Sequence, residues 1–280
     1  MEQKRNLLIF LIPLFVFLCS TVIFTVYVER DWKGQRFEQT GVFCEVINGS
    51  LLIEPVNTIS NVGFSIVGLV IAWQMMCRTY SANNNILTQS DTMTIVFASL
   101  IVFVGPCSAA MHAFYTSWGT KLDVISMYIV CAFVVSYSIQ RLFRLRIQFF
   151  FCMLPLFILM YKVAWEIDIN IPIFEETTNL FFACFIALSI LFEICIIFIR
   201  KPAIQKLWGV ACLLTLSTAF AIWNFSKTDG YLCIPTSIFQ GHAAWHLLDA
   251  LALYFLFLYY VSEHNSPEYT QFTDEELGKQ

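Results

Sequence analysis

The sequence predicts an all-α polytopic membrane protein: a seven-helix core bundle with one additional N-terminal transmembrane helix. Three observations carry this. Hydrophobic residues make up 58% of the 280 and charged residues 13%, whereas an ordinary soluble domain is about one quarter charged. Mean hydropathy is +0.70, so lipid is the solvent for most of the chain. The apolar residues fall in long runs of roughly 20, the length that crosses a hydrocarbon core of about 30 Å as a helix. These runs lack the alternation of barrel strands, and helices satisfy their own backbone hydrogen bonds in lipid.

In chain order the spanning segments lie near 7–28, 56–77, 92–115, 122–141, 147–163, 178–199, 207–225 and 240–261, the fifth being short. The first follows Lys4 and Arg5, as a signal peptide also would, but its apolar run of about 22 residues exceeds the roughly 7–15 of a signal core. Residues 1–28 therefore read as a signal-anchor helix. A polar stretch over 29–55 reads as a non-cytoplasmic loop, 56–261 as the seven-helix domain, and 262–280, with Asp274, Glu275 and Glu276, as an acidic, solvated cytoplasmic tail. No repeat or Pro/Gly/Ser-rich linker divides the chain. Trp73, Trp165, Trp208 and Trp223 suit interfacial anchoring.

Orientation follows from the basic residues. Ten of the sixteen Lys and Arg lie on the side of the N-terminus, and three of the other six share the 29–55 loop. By the positive-inside rule both termini are cytoplasmic. A net charge of −4 and a pI near 5.6 provide no basic field for nucleic acid. Transport is disfavoured too, because few polar or broken helices interrupt the spans at mid-membrane.

The polar residues converge once this topology is applied. Of four histidines, His112, His242 and His246 sit at ends of apolar segments, with Ser108 and Asp123 close in sequence to His112. The four-residue spacing in GPCSAAMH over 105–112 puts Ser108 and His112 on one helix face, and HAAWH over 242–246 does the same for its two histidines. The link between the third and fourth segments is so short that they must be antiparallel neighbours, which brings Asp123, one turn into its helix, level with His112. All five residues then share one depth near the non-cytoplasmic face, as a zinc site requires. Taken singly each has a plainer reading: a satisfied interfacial histidine, a packing serine, an aspartate capping its helix or pairing with Lys121. Their joint placement has no structural reason to occur.

These residues resemble the alkaline ceramidases, within a superfamily of seven-helix membrane hydrolases that also contains the adiponectin and progestin receptors. The resemblance rests on S-x3-H, an Asp eleven residues after that His, and a late HxxxH. It also rests on FCEVINGSLLIEPVNTISN over 43–61 and GHAAWH over 241–246. It implies that His112, His242 and His246 bind zinc, that Asp123 is the general base, and that Ser108 is the oxyanion donor. The implied reaction is hydrolysis of the amide of ceramide or a related N-acyl lipid to sphingoid base and fatty acid. The alternative is a receptor-like or scaffold member with a structural zinc and little hydrolase activity.

Glu45, Asn48 and Glu54 are the residues that the resemblance offers to calcium. The family's run begins Asp-Trp-Cys-Glu where this chain has Val42, Phe43, Cys44 and Glu45, and the interval to Glu54 is shorter. Of ten cysteines most lie in apolar segments, but Cys44 and Cys233 lie in loops on the non-cytoplasmic side. The resemblance implies a disulfide between them, closing a loop of about 190 residues worth about 4–5 kcal/mol on the loop-entropy model. The alternative is two unpaired thiols. Asp249 reads either as a partner of a ligand imidazole or as an interhelical polar contact, and Glu193, inside an apolar span, has no evident role.

Overall fold

A computed structural model describes residues 6–29, 43–47, 52–77, 85–166 and 177–264. Its elements are helices. These are α1 (Leu8–Glu29), α2 (Pro55–Ser60), α3 (Val62–Met76), α4 (Ile86–Gln89), α5 (Asp91–Phe114) and α6 (Ser117–Phe143), then α7 (Ile147–Glu166), α8 (Thr177–Cys195), α9 (Lys206–Phe225) and α10 (Gly241–Val261). One π turn, Ile196–Arg200, extends α8. Among the described residues seven helical spans are long and apolar enough to cross a membrane, α2 and α3 together forming one of them, and α7 contributes a shorter apolar stretch, Ile147–Met160. The chain is thus an integral multi-pass protein. The ends of the segments expected from the sequence shift by a residue or two in most cases. The fourth differs more, because α6 begins at Ser117 with a polar turn that a hydropathy window trims away, leaving Asp123 nearly two turns into the helix.

The chain divides into two compact units, Met1–Asp123 with Ile204–Glu263, and Val124–Ala203 with His264–Gln280. In the first, α1 packs against α3 and α5. Asn6 donates from Nδ2 to Asp91 at 2.6 Å, Phe10 meets Trp73 edge-on at 5.6 Å, and Phe24 lies against Phe114. The α3–α5 contact is tight because it is built on small residues, as lipid-embedded helix pairs require. A Cβ on Gly68 would stand 2.7 Å from the Ala98 carbonyl oxygen. At the head of α5 the Ser90 hydroxyl accepts from Met93 N, with Asp91 in the first turn.

The second unit has an aromatic core in which Tyr128, Val135 and Phe185 are buried together. Phe185 takes Tyr128 and Phe157 edge-on at 5.7 and 5.6 Å. Glu193, which the sequence left without a role, accepts from Arg141 at 2.5 Å and from the Ser138 hydroxyl at 2.8 Å. The arginine side chain is 4% exposed, so the carboxylate neutralises a cation that lipid would not tolerate alone. Glu193→Leu is expected to destabilise the protein by about 3–5 kcal/mol, because it removes the carboxylate from that buried cation. The Arg141→Met/Glu193→Leu double variant should recover most of the loss. Thermal unfolding in detergent checks this, and equal midpoints for the wild type and the single variant would remove the pair's structural role.

Candidate functional site

The site grows from the way α5 ends. Tyr115 adopts the left-handed conformation (φ 49°) and its N–H caps the helix through the Met111 carbonyl at 2.8 Å. Only Thr116 then separates it from α6, whose first turn lies against α5 because Gly119 has no side chain. A Cβ there would stand 2.9 Å from the Ala110 carbonyl oxygen. The last carbonyls of α5 need donors. They find them in the segment before α2: Ile53 N donates to Ala113 O at 3.0 Å and Glu54 N to His112 O at 3.2 Å. That pairing fixes the Glu54 side chain beside His112.

Three imidazoles meet at this point. His112 from α5 and His242 and His246 from the first turns of α10 are 1%, 3% and 1% exposed, and one ligand atom from each lies within 4.8 Å of the others. His112 Nε2 and His242 Nε2 are 3.2 Å apart, close to the roughly 3.3 Å that separates two nitrogens bound tetrahedrally to one zinc at about 2.05 Å.

The hydrogen bonds behind the rings decide which nitrogen faces inward. His112 Nδ1 stands 2.8 Å from Glu54 Oε2. A carboxylate only accepts, so Nδ1 carries a proton, and in the neutral ring the lone pair lies on Nε2. His246 Nδ1 is 2.8 Å from the Ser60 hydroxyl, which gives its one hydrogen to the Asn57 carbonyl at 2.8 Å. Nδ1 must again be the donor. His246 Nε2, buried and without a hydrogen-bond partner among the described residues, keeps its lone pair. Lone pairs on His112 and His246, with a third imidazole against them, are what a divalent cation of zinc type takes as ligands.

Glu54 is itself held from several sides. Tyr115 donates its phenol to Oε1 at 2.7 Å and Asn57 its amide to Oε2 at 3.1 Å. Burial, followed by the charge of Glu54, pushes the Tyr115 phenol well above its ordinary pKa, so it remains a donor across the working range of pH. Glu45 accepts the free N–H groups of Val56 and Asn57 at the head of α2, both at 2.8 Å, a tertiary cap in place of a local one. Burial raises its pKa, and these two backbone bonds oppose the rise. All four carboxylate oxygens of Glu45 and Glu54 thus carry protein donors, and Asn48, the third residue offered to calcium, lies outside the described residues.

Ser108 and Asp123 complete the cluster. The Ser108 hydroxyl is hydrogen-bonded to the Asp123 carboxylate. Cys44 and Cys233 are joined in a disulfide, which ties the 43–47 segment to the loop before α10. Phe43 next to it stacks on His242 with ring centroids 4.0 Å apart and meets His112 edge-on at 5.2 Å. Sequence reasoning noted Phe43 only as a departure from the family's Trp and did not single out Ser60 or Tyr115. Ser60 carried a signal in its place within NTISN over 57–61, whereas Tyr115 reaches Glu54 only through a left-handed cap that no motif announces. Asp249 bonds none of the imidazoles, its Oδ1 being buried without a hydrogen-bond partner among the described residues. The supporting roles fall to Glu54 and Ser60.

Compared with known families, residues 42–276 match the family model described as Ceramidase. A comparison with curated proteins gives no match.

Proposed function

The chain belongs to the ceramidase family, and from that premise we propose that it is a zinc-dependent hydrolase of the amide bond of ceramide or a related N-acyl lipid, releasing sphingoid base and fatty acid. The observation that carries the reading is the triad His112, His242 and His246, with two of its rings pinned so that Nε2 lone pairs face inward. When bound there, zinc would polarise an amide carbonyl and lower the pKa of water from 15.7 toward about 7. The chain's own groups do the rest. Glu54 and Ser60 hold the imidazoles in tautomer and orientation, which makes them positioning residues. Asp123 accepts the proton of the attacking water and returns it to the departing amine nitrogen.

Ser108 has one hydrogen, and that proton transfer governs where it points. While Asp123 is ionised the hydroxyl donates to it. Once Asp123 has taken a proton it can donate in return, and the Ser108 hydrogen turns to the developing oxyanion. Proton abstraction and oxyanion stabilisation are thereby coupled in one pair of side chains.

In this reading both termini face the cytoplasm and the triad lies near the opposite face, on the side that permits the Cys44–Cys233 bond. Purified protein loaded with zinc and incubated with a panel of ceramides in vesicles should yield sphingoid base and fatty acid in equal amounts by mass spectrometry. Stoichiometric zinc with no cleavage of any N-acyl lipid would favour the receptor-like alternative.

A further inference from the structure

The loop between α9 and α10 exposes the apolar side chains that a water-facing turn would hide. Tyr231 is 97% exposed, Phe239 85%, Ile238 76% and Ile234 61%. From Gly230 to Gln240 the loop carries no charged residue. Val46 and Ile47, also exposed, join the patch, because Val46 N donates to the Pro235 carbonyl at 2.9 Å and the Cys44–Cys233 disulfide lies beside that bond. The loop is held firmly. Gln240 Nε2 lies 2.7 Å from the Ser237 carbonyl, 3.2 Å from that of Ile234 and 3.3 Å from that of Pro235, and Leu232 N, Cys233 N and Ser237 N all find carbonyls at 3.0 Å.

An irregular segment is tolerated at membrane depth only if its backbone groups are satisfied inside the protein, and these bonds go far toward that. The patch also continues the exposed apolar surface of α9, where Phe220 and Phe225 are 51% and 53% exposed. Between them and the loop, Lys227 Nζ sits 4.1 Å over the Trp223 ring, the pairing of aromatic and cation that marks the boundary between acyl chains and headgroups. His242 follows Phe239 by three residues, so the patch borders the triad.

We propose that the 231–239 loop, with Val46 and Ile47, is an interfacial wedge seated among the lipid headgroups and upper acyl chains, through which lipid reaches the triad. Its occupant is the bilayer itself, and its location in lipid does not depend on the hydrolase reading. The test uses the full chain in phosphatidylcholine vesicles that carry a phosphatidylcholine with a diazirine near the glycerol end of one acyl chain. After photolysis and digestion, lipid adducts are expected on the 231–239 peptide as they are on α9. Adducts on α9 with none on the loop would overturn the wedge.

The Ile238→Asp/Phe239→Asp variant should lose loop adducts by about tenfold or more, since a carboxylate is strongly disfavoured in lipid. It should raise KM for long-chain ceramide in vesicles while leaving kcat for a water-dispersed short-chain ceramide unchanged. A fall in that kcat would assign the loop to the reaction centre instead. The wild-type adduct map decides the location even if the variant does not fold or no lipid is hydrolysed.

Discussion

Replacing His112, His242 or His246 with Ala is expected to strip the purified protein of its zinc, lowering the content from about one ion per chain to nearly none, and to abolish hydrolysis. Two imidazoles cannot complete an open tetrahedral site that keeps one position for water. Burial sharpens the effect, because these rings are almost inaccessible to solvent. Glu54→Ala should act more gently. It leaves three nitrogens in place but frees His112 to turn, and loss of such a partner costs about 10–100-fold in metal affinity. Elemental analysis after dialysis against a graded chelator measures both. Stoichiometric zinc in all three alanine variants would sink the site, whereas Glu54→Ala binding zinc as tightly as wild type would remove only its positioning role.

The two kinds of sequence signal were unequal in reach. Lipid imposes length and hydropathy on each span, so the helices were legible from Leu8–Glu29 to Gly241–Val261 with small end corrections. Helical spacing likewise put Ser108 with His112 and His242 with His246, and a short link put Asp123 beside them. What spacing could not reach was support from non-helical backbone. Glu54 stands at His112 because its segment supplies N–H groups to the carbonyl ends of α5, a pairing between residues 58 apart in sequence with no periodic trace. Glu54 therefore resembled a calcium ligand in sequence, whereas in the structure its oxygens accept from Tyr115, His112 and Asn57. Phe43 was hidden for a similar reason: it reaches His242 from a loop tethered by the Cys44–Cys233 bond.

Asp123→Asn is expected to separate chemistry from metal binding, retaining zinc while losing turnover by roughly 10²–10⁴, the contribution of a positioned general base. Asparagine keeps the volume and can still bond the Ser108 hydroxyl, so the change removes the ability to take a proton and little else. Ser108→Ala should lose less, about 10²–10³ in kcat, the range for one oxyanion donor. Because the two side chains act through one shared hydrogen bond, the double variant should lose less than the product of the two single losses. Single-turnover rates on ceramide vesicles, with zinc content measured on the same samples, test each part. An Asn variant that turns over at the wild-type rate would remove Asp123 as the base. One that loses zinc in proportion to activity would make it a support for the His112 ligand, and multiplicative losses in the double variant would show that Ser108 and Asp123 work independently.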